Sequence, residues 1–109
     1  MKRSTHNLRA VFFRKNGALT GFEFTGHAGY GEEGSDIVCS AVTSAVSLTC
    51  NTITDFFLAD ADVSVEENRI VLTMNSPDIP SEELLEAFLD HIQDISRRYP
   101  GVKVEVKEV

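Results

Sequence analysis

Cysteine is scarce: Cys39 and Cys50 are the only two in 109 residues. That is too few for the disulfide framework of a small secreted domain, and a reducing compartment keeps both as thiols. Basic residues are also short, ten Lys and Arg against seventeen Asp and Glu, for a net charge of −7. Direct nucleic-acid binding wants a basic face to displace counterions, so none is expected. An acidic surface serves solubility or encounters with basic partners. No run approaches the roughly 20 apolar residues of a membrane-spanning helix, so no membrane contact is expected. The start, MKRSTHNLRAVFF, has no apolar segment followed by a small-residue cleavage site, and the expected location is the cytoplasm. Repeats, low-complexity tracts and linkers are absent as well. The expectation is one domain over residues 1–109, large enough for a core without metal or disulfide staples.

What is present alternates. Residues 8–14 and 18–25 read as strands joined across Asn16-Gly17, a strong short hairpin signal because both residues accept positive φ. Residues 61–66 and 69–74 form a second hairpin, with Val63, Val65, Ile70 and Leu72 at its apolar positions. Residues 102–107 alternate strictly and predict a fifth, half-buried strand. A helix over 81–99 takes Ser81 as cap, with Glu82 and Glu83 at its positive end and Arg97 and Arg98 at its negative end. Its apolar stripe runs from Leu84 to Tyr99, and Pro100-Gly101 stops it.

The other helix, over 36–58, is apolar on two faces. Val38, Val42, Ala45, Thr49, Ile53 and Phe56 make one stripe, and Ile37, Ala41, Ser44 and Leu48 a second with almost no charge. A helix apolar nearly all round is usually buried on both sides, so the second face is expected to carry a contact with another copy of the chain. Cys39 and Cys50 lie about three turns and ~16 Å apart on this helix, too far for a disulfide. The order is ββαββαβ, an α+β fold with a five-stranded mixed or antiparallel sheet and two helices.

The loop between the second strand and this helix, within GHAGYGEEGSDIVCSAV, strings Gly26, Gly29, Gly31 and Gly34 between His27 and Cys39. Glycine is costly to order, so the loop either moves or lets another chain approach closely. A phosphate site fits poorly: no Lys-Ser or Lys-Thr follows, and Glu32 and Glu33 repel phosphate. A zinc site from His27, Cys39 and a glutamate lacks the paired ligand spacing, and no metal or cofactor is expected. His6 and His91 read as surface residues. Nucleophilic catalysis remains: Cys39 falls in the first turn of its helix, where unpaired N–H groups lower a thiol pKa, and His27 can supply an imidazolium.

The stretch GHAGYGEEGSDIVCSAVTSA closely resembles the signature of the ribosomal-processing cysteine protease family, Prp, in which Gly-His-Ala ends a strand and Gly-x-Asp-Ile-Val-Cys opens a helix. The resemblance implies a catalytic dyad of His27 and Cys39 and a cysteine endopeptidase. It also implies that the enzyme removes a short N-terminal extension from a bacterial large-subunit ribosomal protein, as a cytoplasmic homodimer without cofactor. Ser40 stands where the family commonly has alanine, and Thr43 where serine is expected. Supporting or substrate-loop roles fall to Gly26, Gly29, Tyr30, Gly34 and Asp36. Asp36 either caps the helix or orients His27 as a third catalytic group. A contrasting reading is a non-enzymatic ribosome-associated module that clamps a peptide with the same loop. With one large apolar group, Tyr30, the segment from Ala28 to Ser35 is expected to be mobile until peptide binds.

Overall fold

Two hairpins and one lone strand assemble into a single sheet covered on one face by two helices. The computed structural model describes residues 8–26 and 33–109, with side chains for 8–26 and 37–109. The elements are β1 (Leu8–Lys15), β2 (Ala18–Thr25), α1 (Glu33–Asn51), a π-turn (Thr52–Phe56), β3 (Ala61–Glu66), β4 (Arg69–Met74), α2 (Ile79–Arg98) and β5 (Val102–Glu108). The strand order is β3-β4-β2-β1-β5. All neighbours are antiparallel except β1 and β5, which run parallel. The sheet is therefore mixed, and the expected ββαββαβ order is the observed one.

The first hairpin turns as Asn16-Gly17 predicts, with φ of 54° and 87°, the left-handed pair of a tight two-residue turn. Its ladder then slips. Phe13 pairs with Gly21 and Arg14 with Leu19, leaving Thr20 as the extra residue of a bulge. Strict alternation would send Leu19 and Phe22 to opposite faces, and the bulge turns both inward, where both are fully buried. At the centre of the core Phe12, Phe22, Phe24 and Phe88 form a mutually packed cluster with ring centroids 5.2–5.9 Å apart. Val38, Val42, Val46, Cys50 and Ile53 of α1 and the π-turn join the same apolar cluster, as do Leu85, Leu89 and Ile92 of α2. Two helices in one cluster with the inward strand residues means that both cover the same face.

Several sequence expectations need correction. α2 is capped by Asp78, not Ser81: the Asp78 carboxylate accepts from the Ser81 backbone N–H at 3.1 Å and from its hydroxyl at 2.5 Å. Ser81 is fully buried, and Pro80 fits the first turn, where a missing N–H costs nothing. Tyr99 lies beyond the helix and is exposed. In the second hairpin only Leu72 is fully buried, while Val63 and Val65 are exposed because β3 is an edge strand beyond the reach of the helices. Along α1 and the π-turn the buried stripe is as read at Val38, Val42, Thr49 and Ile53, with Ala45 only half-buried and Val46 and Cys50 added.

Phe56 leaves that stripe and is 80% exposed. The cause is the π-turn, whose Phe57 N–H donates to the Thr52 carbonyl at 2.8 Å in the wide i→i+5 pattern. Thr49, Thr52 and Thr54 each donate a hydroxyl to the carbonyl four residues back, which draws acceptors from the regular ladder and bends a helix. Over Ile37–Phe56 the chain is, by length and a mean hydropathy of 1.4, long and apolar enough to cross a membrane, so the earlier exclusion was too broad. A third of that stretch is buried inside the protein.

Candidate active site

β2 ends where α1 begins to cover the sheet, and Cys39 lies at that junction. Cys39 is half-buried and packs against the edge of the core. It lines a cavity of about 250 Å³. Leu8, Phe24 and Ile70 of the sheet and Val42 and Val46 of α1 give this cavity apolar walls, and Gly26, Thr43 and the β3–β4 turn, Glu66 to Arg69, supply its polar rim. Apolar walls under a polar rim suit an apolar group whose polar neighbours stay at the rim. A larger cavity, about 460 Å³, lies at the opposite end of the sheet beside Asn16, Met74 and Asp78, far from either cysteine in the chain's layout.

Burial separates the two thiols. Cys50 is 7% exposed, and desolvation pushes its pKa from 9.0 to about 11, so at neutral pH it stays a thiol. Cys39 keeps access to the cavity. Its position in α1 differs from the expectation, however: the helix starts at Glu33, so Cys39 falls in the second turn and not the first. Glu33 at the first helical position suits the positive end and extends the helix backward. The unpaired N–H groups belong to the first turn, Glu33–Asp36, and the dipole's influence fades beyond it.

The expected site residues divide. Gly26 and Cys39 line one cavity. Gly34 and Asp36 lie within the first turn of α1. Asp36 is therefore not the cap residue, which must stand outside helical geometry. His27, Gly29 and Tyr30 lie outside the described residues, as does most of the segment expected to be mobile. Of the two residues that depart from the family pattern, Thr43 lines the cavity and Ser40 is exposed away from it. Among the described residues no group of three His, Cys, Asp or Glu side chains is placed to hold a metal.

Sequence reasoning missed the β3–β4 turn. Nothing in residues 66–69 marks them as part of a site until β4 is known to pair with β2. That pairing, Thr25 with Arg69, carries the turn to the end of β2. There the Gly26 N–H donates to the Asn68 carbonyl at 3.0 Å. Arg69 bonds Glu23 of β2 at 2.5 Å and Glu66 of β3 at 3.5 Å, tying three strands together at the rim.

A family model described as cysteine protease Prp matches residues 8–103. No curated protein matches the sequence. Among solved structures, SMU.848 from Streptococcus mutans is 28% identical with a TM-score of 0.85, over 94% of this chain and 99% of that one. The ribosomal processing protease Prp of S. aureus, in complex with a covalently linked product peptide, is 20% identical with a TM-score of 0.82, over 92% and 99%. The same protease with a substrate peptide gives 18% identity and a TM-score of 0.79, over 94% and 99%.

Proposed function

This chain belongs to the cysteine protease Prp family, and from that membership we propose that it cleaves its substrate with Cys39 as nucleophile and His27 as general base. The chain is a cysteine protease, so one of its two thiols attacks. Cys50 is buried, with its pKa raised to about 11, and that leaves Cys39 on the cavity. The observation that carries the assignment is that Cys39 lines the same cavity as Gly26, the residue that precedes His27 in the sequence. In the reaction His27 takes the Cys39 proton as sulfur attacks the scissile carbonyl, then returns it to the leaving amine. Water, deprotonated by His27, hydrolyses the thioester and frees the thiol. Asp36, as a group orienting His27, is the remaining candidate for a third member.

The substrate we assign is the short N-terminal extension of a bacterial large-subunit ribosomal protein, processed in the cytoplasm. The S. aureus Prp is described as a ribosomal processing protease bound to substrate and product peptides, and this chain shares its fold across nearly its whole length. The acidic net charge suits a basic ribosomal protein and disfavours direct nucleic-acid binding. The chain acts as a homodimer through the second face of α1: Ile37, Ala41, Ser44 and Leu48 are all exposed in the single chain. Incubation with a precursor ribosomal protein, followed by intact-mass measurement, tests the assignment. Loss of the extension with the wild type and none with Cys39→Ala is expected. Cleavage at the native rate by Cys39→Ala would remove Cys39 from the mechanism.

A further inference from the structure

We propose that the β3–β4 turn is a positioning element of the protease site, acting through Gly26 to set the direction in which the chain enters His27. This rests on the Cys39/His27 reading above. Three observations meet at the turn. Gly26 has φ +82°, a left-handed backbone that L side chains resist and glycine adopts freely. Its N–H is held by the Asn68 carbonyl at 3.0 Å, one residue past the last β2–β4 pair, Thr25 with Arg69. The turn itself is fixed on β2 by Arg69, bonded to Glu23 and Glu66.

The same turn and the same glycine wall the cavity that Cys39 opens onto. A change in the Gly26 conformation therefore rotates the next residue about a point on the cavity rim. That next residue is His27, the proposed base. Exposed ion pairs such as those of Arg69 contribute little stability, and here their effect is geometric: they hold the turn, which holds the carbonyl, which holds Gly26. Gly26 and Arg69 are positioning residues and touch no reacting atom. In the dyad reading the imidazole takes the Cys39 proton, so a misdirected imidazole shows in how Cys39 reacts with an alkylator.

The experiment is the pH dependence of Cys39 alkylation by iodoacetamide, read by peptide mass, together with kcat and KM on a peptide substrate. Gly26→Ala should lower kcat about tenfold to a hundredfold, as a misplacement near 1 Å does, with KM little changed. It should also shift the Cys39 titration toward that of His27→Ala. A semisynthetic Gly26→D-Ala, whose residue favours positive φ, should recover most of the lost rate. Arg69→Gln, which leaves the core untouched, should lower kcat several-fold at unchanged KM, and it decides the matter if Gly26→Ala fails to fold. Wild-type kcat and titration in both Gly26→Ala and Arg69→Gln, with His27→Ala impaired, would overturn the positioning role alone. An unaltered titration and kcat in His27→Ala would instead overturn the dyad itself. Equal loss in the L- and D-alanine variants would make the defect steric and sink the conformational account.

Discussion

At Cys50 the protein keeps a thiol neutral by burying it in the apolar cluster, and this has a consequence for stability. Between the unfolded value of 9.0 and the folded value near 11, the unfolded chain loses this proton and the native state keeps it. Unfolding then releases a proton, so stability falls as pH rises, by about 1.4 kcal/mol per pH unit across that window. Cys50→Ala should be about 1 kcal/mol less stable at pH 7 through lost packing, and its deficit should shrink or invert by pH 11. Urea unfolding of both proteins at pH 7, 9 and 10.5 checks this, and parallel curves would contradict it. Gly21 offers a second test. A Cβ there would penetrate the Leu72 carbonyl oxygen and lie 3.2 Å from its carbon and 3.3 Å from the Thr73 Cα. All three are backbone atoms that cannot swing aside. Gly21→Ala should cost about 2–3 kcal/mol, seen as a thermal midpoint lower by at least about 10 °C.

Elements show which part of this fold the residue pattern carries. All five strands are legible because Asn16-Gly17, the alternating apolar positions and Pro100-Gly101 are local signals, and the strands answer to them within one residue at each end. The helix starts are less legible. At α2 both Asp78 and Ser81 are capping residues by type; only the structure shows Ser81 inside, donating to Asp78. Asp78→Ala removes the acceptor of both bonds and leaves a fully buried hydroxyl and an N–H without it. A loss of about 1–2 kcal/mol is expected, with Asp78→Asn retaining more than half of it, measured by urea denaturation. The end of α1 is not legible either, because a π-turn arises from the summed pull of three threonine hydroxyls and from tertiary packing, which no single residue announces. The site shares this division. Cys39 and Gly26 stand out in the sequence, whereas the Asn68 carbonyl and Arg69 depend on a β2–β4 pairing between strands more than forty residues apart.

For the molecule as a whole, the unexplained surface is the outer face of α1. Ile37 and Leu48 are each 69% exposed, Phe56 80% and Leu58 77%, an apolar strip that a single chain does not leave bare to water without a reason. Between Ile37 and Leu48 the strip carries only small residues, Ala41 and Ser44, and no charge. A second copy crossing antiparallel would match it to itself. Ile37 would meet the far end at Phe56, Ser44 would meet Leu48, and the two-fold axis would pass near residue 46, as an isologous contact requires. The π-turn belongs to this arrangement, since the wide turn takes Phe56 off the core stripe and onto the outer surface. A strip of about 28 Å, widened by Phe57 and Leu58, can approach the ~800 Å² per partner of a stable interface. We expect sedimentation at micromolar concentration to give twice the 12.0 kDa chain mass. Leu48→Glu and Phe56→Glu place a charge on the strip of each copy, close to a partner residue with no counter-charge, and each should give a folded monomer with an unchanged far-UV spectrum. A 12.0 kDa wild-type species, or Glu variants that remain dimeric, would put the contact elsewhere and leave the outer face of α1 without this partner.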